Sequence, residues 1–175
     1  MGKSKRTVQV IILIFIVILG AYAIGSSVFG SDEKPGVGDR VPDFELLGMD
    51  GKVHTLAEYK DKVMVINFWG TWCEPCVDEM PALQKQWDKW KEQGVVFIGV
   101  NVGEDQMTVD QFVRGVGVDF PIMYDKGRKV TGEFGISPMP STFFVSKDGK
   151  ISEKFEGQLN LDTLEYKIKQ LVNSN

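Results

Sequence analysis

Cysteine and histidine are scarce in this chain: among 175 residues there are two cysteines and one histidine. Two cysteines exclude a small secreted fold stapled by several disulfides. One histidine leaves a protein-only zinc site dependent on carboxylates, which argues against a metalloenzyme. Positive charge is also short. Lys and Arg number 20 against 24 Asp and Glu, a net charge of −4 and the opposite of the basic surface a nucleic-acid partner requires. Internal repeats and low-complexity tracts are absent. With 43% apolar and 25% charged residues, the composition is that of a folded domain of ordinary size.

The charge is unevenly spread. Residues 1–31 hold Lys3, Lys5 and Arg6 and no acid, leaving 17 basic against 24 acidic residues in the remainder. From Val8 to Phe29 no side chain is charged, and Val10 to Leu19 is unbroken apolar sequence. Twenty-two helical residues span roughly 33 Å, enough to cross a bilayer core. The basic flank predicts a cytoplasmic N-terminus and an extracytoplasmic remainder, on a single-pass anchor in the cell membrane. Ala21-Tyr22-Ala23 has the small-x-small shape of a cleavage site, but apolar sequence continues through Ile24, Val28 and Phe29. An uncleaved signal-anchor is therefore the expectation, with cleavage after Ala23 the alternative. The expected organisation is a basic tail (1–7), a transmembrane segment (8–29), a linker (30–40) containing Pro35, Gly36 and Gly38, and a domain (41–175).

That domain alternates strand and helix signals. Phe44–Leu47 and Val53–Thr55 flank Asp50-Gly51, a hairpin pattern. Thr55 and Glu58 make a capping box that opens a short helix. Val63–Trp69 and Val95–Val102 are apolar runs of strand length, suited to a parallel sheet covered on both faces. Between them Met80, Leu83, Trp87 and Trp90 give helical spacing over Cys76–Lys91, with both tryptophans read as core. Thr108–Val116 is a second helix, with Thr108 and Gln111 as its capping pair. Phe120–Tyr124, Ser141–Ser146 and Ile151–Phe155 read as strands, the last two joined through Asp148-Gly149 as a hairpin. Asn160 precedes an amphipathic helix carrying Leu161, Leu164, Ile168, Leu171 and Val172 on one face. The class is α/β.

Chemistry concentrates at Trp72-Cys73-Glu74-Pro75-Cys76, after a buried strand and at a helix start. A first helical turn offers unpaired N–H groups and partial positive charge, both of which stabilise a thiolate. Two intervening residues bring both sulfurs within disulfide reach, and Pro75 fits a turn where its missing N–H is not needed. Cys73 at the exposed tip is the expected nucleophile and Cys76, one turn in, the shielded resolving thiol. Haem attachment would need His where Val77 stands, a zinc site lacks a second cysteine pair, and a structural disulfide across so short a gap removes little unfolded-state entropy. Redox catalysis remains, with no cofactor beyond the two sulfurs. Trp69 and Trp72 flank the site and would shield the disulfide from water. His54, in the early hairpin, reads as structural.

The run Val65-Ile66-Asn67-Phe68-Trp69-Gly70-Thr71-Trp72-Cys73-Glu74-Pro75-Cys76 resembles the active site of thioredoxin-fold proteins. More narrowly it resembles the membrane-anchored ResA type of thiol-disulfide oxidoreductase. The likeness extends through Asn101-Val102-Gly103-Glu104, Asp119-Phe120-Pro121 and Ser137 to Phe144. It implies a thioredoxin fold with a five-stranded central sheet, an N-terminal β-hairpin and an inserted helix near Thr108–Val116, preceded by one transmembrane helix. It implies a redox-active Cys73–Cys76 disulfide and a cis bond at Pro140 in a loop that, with Met139, meets the client. Asn67 stands where thioredoxins proper carry a buried acid; it cannot titrate. Glu79, one helical turn after Cys76, matches a glutamate placed beside the cysteines, where it would raise their pKa values and shuttle the resolving thiol's proton. Glu74, more exposed, would tune the thiolate or contact clients.

Glu74 and Glu79 both set negative charge near the thiolate, which favours a reductant over an oxidant. The resemblance implies the same direction, with oxidised apocytochrome c as client in c-type cytochrome biogenesis and a membrane electron donor of the CcdA type. A same-fold reductase for spore envelope assembly and a non-catalytic copper carrier are the alternatives.

Overall fold

Val63–Trp69 shows in its own sequence why the chain folds around it: all seven side chains of VMVINFW are buried. Side chains of a strand alternate between its faces, so Val63, Val65, Asn67 and Trp69 share one face and Met64, Ile66 and Phe68 the other. In the computed structural model, which describes residues 9, 11–20 and 34–174, the elements in chain order are β1 (Glu45–Gly48), β2 (Val53–Thr55), a 3-10 turn (Leu56–Tyr59), β3 (Val63–Trp69), α1 (Glu74–Trp90), β4 (Val95–Val102), α2 (Gln106–Val116), β5 (Ile122–Asp125), α3 (Lys129–Glu133), β6 (Ser141–Val145), β7 (Ile151–Glu156) and α4 (Leu161–Asn173). A further 3-10 turn, Lys91–Gln93, continues α1.

The strands form one sheet in the order β2-β1-β5-β4-β3-β6-β7. β3 pairs with β4 and β4 with β5 in parallel, and the remaining pairs are antiparallel. This is the thioredoxin-like architecture, with one difference from the expected five strands plus hairpin. Leu47 and Gly48 of the hairpin pair with Tyr124 and Met123 of β5, so the hairpin extends the sheet to seven strands.

Two apolar clusters sit on the two faces. Val63, Val65 and Trp69 pack with Met80 and Leu83 of α1, Val109 and Val113 of α2, and Leu164 and Ile168 of α4. Met64, Ile66 and Phe68 pack with Val130 and Phe134 at α3 and with Phe143. Phe68, Phe134 and Phe143 form a mutual aromatic group with centroids 4.9 to 5.9 Å apart. Trp90 is buried and bonds Gln86, while Trp87 is half-buried with its edge against Phe97.

Several boundaries move. α2 begins at Gln106, because Asp105 is its cap and accepts from Thr108 N at 3.1 Å; Thr108 lies inside the first turn. α1 starts at Glu74, two residues early, and α3 has no counterpart in the sequence reading. The chain divides into units Met1–Glu33 and Lys34–Asn175, so the second begins inside the expected linker. Gly38 N donates to Ile151 O at 2.8 Å and Arg40 bridges to Lys150, which ties that stretch to the β6–β7 hairpin.

In the first unit, residues 11–20 are helical and Ile11 to Leu19 are exposed. The tail 1–7, most of the rest of the expected span with the cleavage position after Ala23, and residues 30–33 lie outside the described residues. Among the described residues no helix is long and apolar enough to cross a membrane.

Gly99 of β4 is closely enclosed. An added Cβ would stand 2.6 Å from Ile122 Cδ1, 3.0 Å from Phe120 Cε2 and 3.2 Å from Trp69 Nε1. Gly99→Ala should cost about 1–3 kcal/mol of stability through overpacking, measured by urea denaturation of the oxidised protein. A neutral result would show that these side chains yield freely.

Candidate active site

β3 ends at Trp69, and Gly70-Thr71-Trp72 carries the chain to Cys73, the N-cap of α1. Cys73 N donates to Gly70 O at 3.2 Å, and the Cys73 carbonyl accepts from Cys76 N and Val77 N, each at 3.0 Å. The loop therefore closes directly into the first helical turn. Its cap position places the Cys73 sulfur in the partial positive charge of the helix start. A disulfide joins Cys73 to Cys76, with Cα atoms 5.2 Å apart.

Cys73 is not at an exposed tip. It is 7% exposed and Cys76 0%, both packed in the cluster that holds Trp69 and Met80. Cys73 is the more accessible of two covered sulfurs. Glu74 and Pro75, at the first two helical positions, are exposed. The two flanking tryptophans divide. Trp69 is buried against Phe112, at 5.4 Å between centroids, whereas Trp72 is 60% exposed and lies against Gly70, so any shielding by Trp72 is partial.

Glu79 points into the protein and is 1% exposed. One carboxylate oxygen accepts from Asn67 Nδ2 at 2.7 Å and the other from Leu159 N at 2.8 Å. Asn67 Nδ2 also donates to Thr142 Oγ1 at 3.0 Å, and Asn67 Oδ1 finds no partner among the described residues. Burial raises the Glu79 pKa to about 7, against the opposing pull of the two hydrogen bonds. A group poised there exchanges protons readily at neutral pH. Cys76 and Glu79, three positions apart, lie on the same face of α1.

Met139–Pro140 is cis, and so is Ser137–Pro138. Pro140 is buried with its carbonyl accepting from Gly157 N at 2.8 Å, while Met139 is half-buried. Trp72, Cys73, Glu74, Pro75 and Met139 line one groove of about 470 Å³. His54 sits away from this groove, bonded to Asp50 and Tyr59 on the hairpin.

One brace escaped sequence reasoning. Glu104, just past β4, accepts from Thr71 N at 2.7 Å, from Thr71 Oγ1 at 2.5 Å and from Asn101 Nδ2 at 2.7 Å. It ties the loop before Cys73 to the neighbouring strand. Only the short spacing of Asn101 and Glu104 hinted at it; the link to Thr71 crosses 33 positions.

A strand-to-helix dithiol on a thioredoxin-like sheet defines a thiol-disulfide exchange enzyme, and comparison with known proteins narrows the class. The AhpC/TSA family matches residues 37–154. The chain is 35% identical over 172 residues to the thiol-disulfide oxidoreductase ResA of Bacillus thuringiensis (strain Al Hakam), covering 98% of this chain and 99% of that one. It is 38% identical over 160 residues to ResA of Bacillus subtilis (strain 168), covering 90% and 89%. Among solved structures, a thiol:disulfide interchange protein of the thioredoxin family from Chlorobium tepidum TLS aligns at TM-score 0.70 and 25% identity, over 81% of this chain and 99% of its own. StoA from Bacillus subtilis, at TM-score 0.65 and 24% identity, shares the fold over 73% of this chain and 97% of its own. The chain belongs to the AhpC/TSA family and, within it, to the ResA type of thiol-disulfide oxidoreductase.

The position of Glu79 makes stability depend on pH. Its folded pKa of about 7 lies above the ordinary 4.5, so the folded protein binds the extra proton between those values. The contribution is fully present below pH 4.5 and is lost as pH rises through 7. Between mildly acidic and mildly basic buffer the oxidised protein should lose about 2–3 kcal/mol for this reason. Glu79→Gln should remove that loss, as read by denaturant titration at both pH values; an unchanged pH slope would show that Glu79 titrates normally.

Proposed function

We propose that this chain is a membrane-anchored reductant of disulfides outside the cytoplasm. Its client is the oxidised cysteine pair of an apocytochrome c haem motif, and its electrons come from a membrane thiol-transfer partner of the CcdA type. The observation that carries the reductive direction is the buried Glu79 carboxylate one turn from Cys76. A thiolate formed beside a dry carboxylate is disfavoured, which favours the disulfide and lets electrons leave. The exposed Glu74 adds negative charge on the solvent side. The anchor is supported by the uncharged run behind a basic flank and by the exposed apolar helix over 11–20. The client is supported by the ResA-type likeness of the site.

The exchange runs over four sulfurs, two of the enzyme and two of the client, and delivers two protons, one from water and one relayed by Glu79. The Cys73 thiolate attacks one client sulfur, the client disulfide breaks, and its other sulfur leaves as a thiolate that takes a proton from water. Glu79 accepts the Cys76 proton. The Cys76 thiolate attacks the Cys73 sulfur, the intramolecular disulfide forms, and the second client sulfur departs to receive that proton from Glu79. Two electrons pass to the client.

Three measurements bear on this reading. The Cys73–Cys76 couple, followed by tryptophan fluorescence, should have a reduction potential at or below roughly −230 mV, on a scale where thioredoxin lies near −270 mV and DsbA near −120 mV. A value near the DsbA end would make the chain an oxidant. Cys76→Ala should accumulate mixed disulfides with clients, and recovering none would count against the two-cysteine relay. Deleting the gene should abolish covalent haem staining of c-type cytochromes; normal staining would remove this client and leave the reductase.

A further inference from the structure

The groove beside the disulfide has one basic side chain among the described residues that line it, Arg128. Its guanidinium lies alongside Gly103. An added Cβ at Gly103 would stand 2.4 Å from Arg128 Nε and 3.0 Å from Nη2, so the group lies against bare backbone just past β4. Both partners have left-handed backbone, φ 78° at Gly103 and 56° at Arg128, a conformation that side chains larger than glycine's rarely allow.

Among the described residues the cation lacks an acid. Asp125, three residues earlier, turns its carboxylate inward to Thr131 N and Oγ1, at 2.7 and 2.5 Å. Glu104, next to Gly103, is occupied by Thr71 and Asn101. Glu133 pairs with Lys129. Glu74 lines the same groove, yet among the described residues no carboxylate forms an ion pair with Arg128. An exposed guanidinium with no acidic partner among the described residues shares a groove with Cys73.

We infer that Arg128 is a specificity residue that selects client segments carrying an acidic side chain near their cysteine pair; this rests on the reading of the chain as a disulfide reductant. A client cysteine must approach Cys73 through this groove, and a guanidinium beside it offers two parallel donors to a carboxylate. Glu74 repels an acid set against it, so the groove reads charge at a fixed offset from the client sulfur rather than anywhere along the segment.

The test uses the reduced full chain and peptides containing a Cys-Xaa-Xaa-Cys disulfide, with Glu, Gln or Lys placed singly at successive positions on either side. At low ionic strength, kcat/KM should favour Glu over Lys by about three- to fivefold at one offset, the size of an exposed ion pair. The ratio should shrink in high salt. Arg128→Gln should erase it, Arg128→Glu should reverse it, and Arg128→Lys should keep part of it, since charge is retained and the planar fork lost. Equal rates at every offset in the unmodified chain, or a preference that survives Arg128→Glu, would overturn the inference and leave the reductase intact. Failure to reduce any peptide, neutral ones included, would overturn the reductase reading itself.

Discussion

The Glu79 carboxylate is held beneath the active site by Asn67 in β3 and by the Leu159 amide just before α4, and each bond constrains a different part of the fold. Asn67 reaches Glu79 only if odd-numbered positions of β3 face α1, which is the register that buries Val63, Val65 and Trp69 on that face. The Leu159 amide is in position because Asn160 caps α4, its side chain accepting from Thr163 N. An acid at position 67 would set two carboxylates at 2.7 Å and drive one of them to full protonation. The amide there is what allows the acid to sit on the helix. Asn67 and Glu79 are thus one device, a titrating group on the helix held by an amide on the strand.

The same end of the sheet organises the rest. Parallel strands β3 and β4 end side by side, Trp69 opposite Asn101, so the loops that leave them are neighbours. Functional loops of α/β sheets gather at such strand ends. Glu104 exploits the adjacency by gripping Thr71 and Asn101 together, which fixes the approach to Cys73. On the far side of Glu104's neighbour Gly103 lies Arg128, so one turn after β4 braces the cysteine loop and seats the groove's cation.

How much of this could be read beforehand follows from the range of each interaction. β3 was evident because burial on both faces writes itself into seven consecutive residues as an apolar run of strand length. The dithiol was evident because its spacing is local. The α2 start was misplaced because Asp105 and Thr108 form one capping pair in which either could be taken for the cap; only the direction of the Thr108 N–H decides. α3 has five residues with Gly132 among them, too short to show a period. Glu104 with Thr71 and Arg128 with Gly103 join distant segments, and no local pattern encodes them. Cys73 looked exposed because its place on a tight turn is local information, while the packing that covers it is not.

The unequal surroundings of the two sulfurs fit the different parts proposed for them. Cys73 has the helix start and a narrow opening to solvent, so its thiolate is stabilised without help from an acid or base. Cys76 has neither opening nor cap, and a thiolate there must form in an apolar cluster, one helical turn from the buried Glu79 carboxylate. If its proton went to water, two negative charges would share one dry region. If the proton moves to Glu79, the region carries a single negative charge before and after, and only its location changes. That conservation of buried charge needs an acceptor whose pKa burial has already raised to about 7. In the proposed relay, the desolvation that makes Glu79 costly to keep charged is therefore the same property that would let Cys76 lose its proton and close the disulfide.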